Sequence, residues 1–198
     1  MPARGRPPAT RQVFSFSDSS LVLPEAVVVD TSFVVEVLSP TQPAHQAALA
    51  FAQRLAGADT TLVFNRLLEL ELDEAVYQLA LKERHPKDWR RFRHDGRARR
   101  RANRLLTGFR AAWTEFLTAF DYVPYTVEEV ADRVPELMIR YGFASYDAIH
   151  AATALDSGVS AIVAIDTAFA KLPQSRIAIY TDASRLSNCR RYRQVAAG

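Results

Sequence analysis

The chain holds a single cysteine, Cys189, among its 198 residues. One thiol excludes an internal disulfide and any cysteine-built zinc site. Glycine is sparse, at 7 residues, and 10 prolines do not reach the content of a low-complexity chain. Nothing approaches the run of about 18 apolar residues that a membrane-spanning helix needs. Arg4, Arg6 and Arg11 are followed by no apolar stretch of the kind a secretory leader requires, so a cytoplasmic protein with no membrane partner is expected. Several motifs are missing as well: G-x-S-x-G, H-E-x-x-H, the P-loop and G-x-G-x-x-G. Their absence removes the nucleophile elbow, the helical zinc protease site and the common nucleotide cradles.

Lysine is also rare, with 3 against 22 arginines. Apolar residues make up 48% and charged residues 24%, enough for one well-cored domain with length to spare. The net charge of +3 is unevenly spread. Residues 82–110 carry twelve Lys or Arg against Glu83, Asp88 and Asp95, which is +9, so the remainder is 3 − 9 = −6. A basic block on an acidic body points to a polyanionic partner held by that block. Within it Arg90, Arg93, Arg97, Arg100 or Arg101, and Arg104 follow helical steps and predict a positive stripe for RNA. Trp89, Phe92, Phe109, Trp113 and Phe116 interleave, either packing inward or stacking on bases.

Residues 1–24, rich in Pro and Ser, read as a mobile extension. Residues 25–185 read as one domain with a basic helical insertion at about 82–118, and 186–198 as a basic tail. Ala26 to Val29 is a continuous apolar run that predicts a buried parallel strand. It ends in Asp30, followed by the hydroxyls of Thr31 and Ser32. Short strands are predicted over 60–64, 121–125 and 176–180, with helices over 33–38, 43–56 and after Asn65. One amphipathic helix is predicted over 127–141, kinked at Pro135, and an Ala-rich one over 143–155. Ala161 to Thr167 then repeats the opening pattern of apolar strand, acid and hydroxyl.

Open α/β sheets bind ligands at the carboxyl ends of their strands, so Asp30 and Asp166 can meet at one edge. Asp147, at a helix start, and Glu71 can join them. Asp30 alone reads equally well as a helix cap. Glu71, between Leu70 and Leu72, is favoured over Glu69, and both stay open. Asp73 and Glu74 read as a solvated face, and His150 as a packed histidine more than a ligand. Four carboxylates at one edge conflict electrostatically, and a hard dication such as Mg2+ or Mn2+ removes the conflict. Such an ion activates water and offsets charge on a phosphodiester.

These residues carry a resemblance. Val28-Val29-Asp30-Thr31-Ser32, the acidic helix after Asn65, Ser145-Tyr146-Asp147-Ala148 with Ala151 to Leu155, and Ile165-Asp166-Thr167-Ala168-Phe169 resemble the PIN-domain ribonucleases, in particular VapC-type toxins. The resemblance covers roughly residues 25–182 and implies a three-layer α/β/α sandwich on a mostly parallel sheet. It implies a Mg2+- or Mn2+-dependent endoribonuclease whose catalytic and metal-binding acids are Asp30, Glu71, Asp147 and Asp166, assisted by Thr31 and Ser32. A cognate antitoxin and a homodimer are further implications. The family often places another acid two positions after the fourth, where this chain has Ala168. The basic segment and the N-terminal extension are longer than in a minimal toxin, which leaves open an RNA-processing role.

Other classes fit less well. A phosphatase would need an acid where Ser32 stands, and a receiver domain a lysine late in the sheet. A non-catalytic nucleic-acid-binding module is separated from a nuclease by a cleavage assay.

Overall fold

The computed structural model describes residues 12–173 and 177–189. The short apolar runs become strands β1 Val13–Ser15, β2 Ala26–Val29, β3 Thr61–Asn65, β4 Tyr122–Tyr125, β5 Ala161–Val163 and β6 Ala178–Thr181. Helices are α1 Thr31–Leu38, α2 His45–Gly57, α3 Leu67–Arg84, α4 Gly96–Leu117, α5 Val127–Val130, α6 Val134–Tyr141, α7 Ser145–Ser157 and α8 Leu186–Cys189. The strands form one sheet in the order β1-β6-β5-β2-β3-β4. Every ladder is parallel, so the sheet is more uniform than the mostly parallel one expected.

That order places β2 at the turning point of the topology. The chain runs outward from β2 through β3 to β4, then returns to β2's other flank with β5 and β6. Strands β3 and β5 therefore diverge from β2 on either side, and a crevice opens at its carboxyl end. Pro124 sits on β4, an outer strand of the sheet, where the N–H it lacks is not needed by a further strand.

Side-chain alternation splits the core into two layers. Val27 and Val29 of β2 face α1, α2 and the α3–α4 hairpin, among Phe33, Phe51, Leu55, Leu68 and Trp113. Val28 faces the other way, with Val63 and Ile162, onto Tyr141, Phe143, Ala148, Ala151, Ala152 and Phe169. The result is the expected three-layer α/β/α sandwich. The small side chains of α7 let it lie close on the sheet: Ala148, Ala151 and Ala152 are fully buried.

Local chemistry sets most boundaries. Asp30 and Asp95 cap α1 and α4 by accepting from backbone N–H groups two or three residues on. Thr126 and Glu129 form a capping box at α5. Gly142 and Gly158 end α6 and α7 at φ 62° and 71°, a left-handed conformation that suits glycine.

Three expectations are corrected. The extension over 1–24 is not wholly mobile: Val13–Ser15 pairs with β6, and Phe16 packs on Phe33 and Phe51. Its apolar residues find an open strand edge and a pocket, which outweighs the surrounding Pro and Ser; residues 1–11 lie outside the described residues. The tail from 186 begins with α8, and Cys189 is buried, while Arg190, Arg191 and Arg193 lie outside the described residues. Pro135 does not kink one long helix. It sits in the first turn of α6, where its missing N–H has no helical partner to lose, and a 3-10 turn at Ala131–Arg133 separates α5 from α6.

Candidate active site

The crevice at the end of β2 is lined by acids from four segments. Asp30 follows β2 and is 6% exposed. Its Oδ2 accepts from Ser32 N at 2.9 Å and from the Ser32 hydroxyl, so the cap and the site acid are the same residue. Ser32 Oγ in turn accepts from Ile165 N at 2.9 Å and Asp166 N at 3.2 Å. One hydroxyl thus ties the exit of β2 to the exit of β5. Asp166 is held by its Oδ1, which accepts from Ala168 N at 2.8 Å.

Glu71 reaches the same edge from the second turn of α3. Its Oε2 accepts from Thr31 Oγ1 and from His150 Nε2, both at 2.6 Å. His150 is fully buried, with Nε2 also 3.8 Å from Asp30 Oδ1. Its Nδ1 is buried without a hydrogen-bond partner among the described residues. Asp147 lies one turn before it on α7, and its carboxyl accepts no hydrogen bond among the described residues.

The charges feel one another. Burial, then the charges of Asp166 and Asp30, push Asp147 up to about 6. Burial raises Asp30 above the usual range, opposed by His150 and Ser32. Burial works against ionisation of Glu71, yet the His150 hydrogen bond and charge, with Thr31, hold it below its ordinary value. Burial likewise opposes charge on His150, and the Glu71 hydrogen bond with the charges of Asp30 and Glu71 overcomes it, raising its pKa.

All four acids expected from the sequence therefore share one electrostatic site, and Thr31 and Ser32 hold two of them. Glu69 does not join; it lines a separate cavity with Asp73, Arg110 and Trp113 between α3 and α4. His150 was expected to be a packed histidine, and it is packed, but between two site acids. Its place one turn after Asp147 was the available signal.

Among the described residues no three His, Cys, Asp or Glu side chains are arranged, as they stand, to hold a metal ion. The donor set still fits a hard dication, because each tethered carboxylate spends one oxygen on the fold and keeps another. Asp30 keeps Oδ1, Glu71 keeps Oε1 and Asp166 keeps Oδ2 clear of the hydrogen bonds just described. Mg2+ is commonly bound by one or two carboxylates with water completing its shell.

The arginine block differs from the expected single stripe. Arg90 lies in a 3-10 turn at Trp89–Phe92 and Arg93 at its exit, outside α4. Arg93 forms a two-point ion pair with Glu74 at 2.8 and 2.9 Å, and Arg101 bonds Glu83 at 3.2 Å. Arg110 pairs with Asp73. The acids of α3 thus relieve part of the repulsion, and Asp73 and Glu74 are paired instead of merely solvated. Arg97, Arg100 and Arg104 make no ion pair among the described residues. Arg84, Arg97, Arg101 and Arg104 line a cavity of about 490 Å3 at the far end of α3. Most of the interleaved aromatics pack: Trp113 against Phe64 and Phe116, and Phe92 flat on His85. Trp89 lies beneath Arg90 and Lys82.

Fold and site together define a doubly wound α/β/α domain with an acidic crevice at its topological switch point. The chain belongs to the PIN-domain family, whose profile matches residues 27–174, from β2 past β5 and including all four acids. PIN domains are generally nucleases. A crystal structure of PAE2754 from Pyrobaculum aerophilum is similar at 19% identity and a TM-score of 0.46, covering 83% of this chain and 89% of that one. No curated protein matches the sequence. No helix among the described residues is long and apolar enough to cross a membrane.

Proposed function

We propose that this chain is a divalent-metal-dependent endoribonuclease. The observation that carries the reading is the meeting of Asp30, Glu71, Asp147 and Asp166 from four segments at one sheet edge, where burial and then the neighbouring carboxylates push Asp147 up to about 6. Asp30 and Asp147 would hold Mg2+ or Mn2+, with Asp166 and Glu71 facing the same ion through water or a second one. When bound, such an ion neutralises charge on the phosphodiester and makes water a better nucleophile. The chain's own residues supply the rest. Ser32 fixes Asp30 against the β5 exit, and Thr31 with His150 fixes Glu71. Asp147, whose carboxyl accepts no hydrogen bond among the described residues, is the carboxylate free to accept the proton of the attacking water.

Arg97, Arg100 and Arg104, with Arg90 and Arg101 beside them, would grip the RNA backbone away from the cut, while Arg93 stands nearer the acids. Glu71 and Glu83 are twelve residues apart on α3, so the arginine-lined cavity lies roughly 18 Å from the acids along the helix axis. The resemblance to VapC-type toxins extends the proposal to a toxin role, a homodimer, and an antitoxin that places a basic side chain among these acids. The test is direct: the purified chain should cut labelled RNA internally with Mn2+ and stop when chelator is added. Intact RNA under both conditions would remove the nuclease reading and leave the binding-module one.

A further inference from the structure

Beside the acids, between α3 and the start of α7, opens a cavity of about 630 Å3. It falls in the range of small-molecule sites, about 300–1,000 Å3. Glu71 and Thr31 form its inner wall, so whatever enters lies against the acidic edge. Two large side chains at its walls are exposed, Leu70 by 67% and Tyr146 by 55%. Each immediately precedes a site acid, Glu71 or Asp147, so the backbone fixes their distance from the chemistry. Neither exposure is explained by packing within this domain.

Beside Leu67 and Ala75 the remaining lining carries three polar side chains, Glu74, Gln78 and Arg93. Gln78 Nε2 donates to Glu74 Oε1 at 3.2 Å, which leaves its amide oxygen and second N–H without a partner among the described residues. Arg93 is locked by its two-point pair with Glu74. Leu70, Glu74 and Gln78 follow one another at one-turn steps along α3, and Tyr146 of α7 stands at the same cavity. An aliphatic platform, a flat ring and fixed donors and acceptors together complement one chemical shape, a planar heterocycle with a polar edge.

We propose that this cavity receives one unstacked nucleobase of the nucleotide next to the scissile phosphate. In it Tyr146 and Leu70 contact the base face, and Gln78 with the Arg93–Glu74 pair reads its edge. The inference rests on the nuclease reading and adds to it the residues that set base preference. A base held in a duplex cannot enter, so the segment at the cut must be single-stranded.

The test uses the full chain with Mn2+ and an RNA pool randomised around one cleavable stretch. Cut sites should show a base preference at one flanking position. Tyr146→Ala should raise KM on the order of ten-fold, the scale of losing one base–aromatic stack, while Tyr146→Phe stays close to wild type. Gln78→Leu should change which base is preferred. Unaltered KM and unaltered preference in both Tyr146→Ala and Gln78→Leu would overturn the proposal. Binding of a labelled single-stranded oligoribonucleotide in chelator, read by anisotropy, separates this from the nuclease reading. Weaker binding by Tyr146→Ala but not Tyr146→Phe supports the cavity even in a chain that does not cleave, and equal binding by all three overturns it.

Discussion

His150 shows how a single buried side chain organises this crevice. Its Nε2 bonds Glu71 and faces Asp30, so the ring sits between two carboxylates whose charges raise its pKa. Asp147 has no such partner and carries the cost as a raised pKa of about 6. The sign of its contribution follows. Unfolded Asp titrates near 3.8, so between pH 4 and 6 the folded state binds more protons and stability falls as pH rises. Asp147→Asn should therefore melt at a higher temperature than wild type at pH 7–8, with the difference closing below pH 4. Thermal melts in chelator across that range check it, and a variant less stable at neutral pH would contradict it. The group is partly solvated, so the direction and not a magnitude is predicted.

The α3–α4 hairpin is where sequence patterning and structure part most clearly. Helical spacing of arginines was legible, but their partners were not. Arg93 meets Glu74 at a separation of 19 residues, Arg101 meets Glu83 at 18, and Arg110 meets Asp73 at 37. Such pairs depend on how two helices pack, which no local period encodes. Asp95 concentrates the hairpin's order: it caps α4 through Arg97 N and Ala98 N and also bonds His85 and Arg84. These bonds, that from Ala98 N foremost, hold its carboxyl far below the usual range. Asp95→Ala should lower the melting temperature at pH 7. A depressed pKa stabilises above the unfolded value and is lost in acid, so wild type and variant should converge as pH falls well below 4. Equal melting temperatures at pH 7 would remove this role for Asp95.

At the scale of the whole molecule, the central sheet could be read from the sequence because β2 and β5 are apolar runs ending in an acid and a hydroxyl. Asp30 and Asp166 were legible for the same reason, and Glu71 because large apolar neighbours set it at a crevice wall. Strand β1 was not legible. Val13–Ser15 is three residues long within a Pro- and Ser-rich stretch, and among the described residues its ladder is with the distant β6 alone. That strand delivers Phe16, 2% exposed, into an aromatic cluster with Phe33 and Phe51. Phe16→Ala should cost about 3–5 kcal/mol of unfolding free energy in urea melts. A loss under about 1 kcal/mol would mean β1 merely rests on the domain.

The proposed chemistry depends on residues 30, 71, 147 and 166 acting as one cation-binding edge. Calorimetric titration of Mn2+ into the wild-type chain and into Asp30→Asn and Asp147→Asn reads that property without requiring any substrate. The account predicts saturable binding by wild type that both substitutions weaken severely while the circular dichroism spectrum stays the same. Identical Mn2+ isotherms for all three proteins would contradict it.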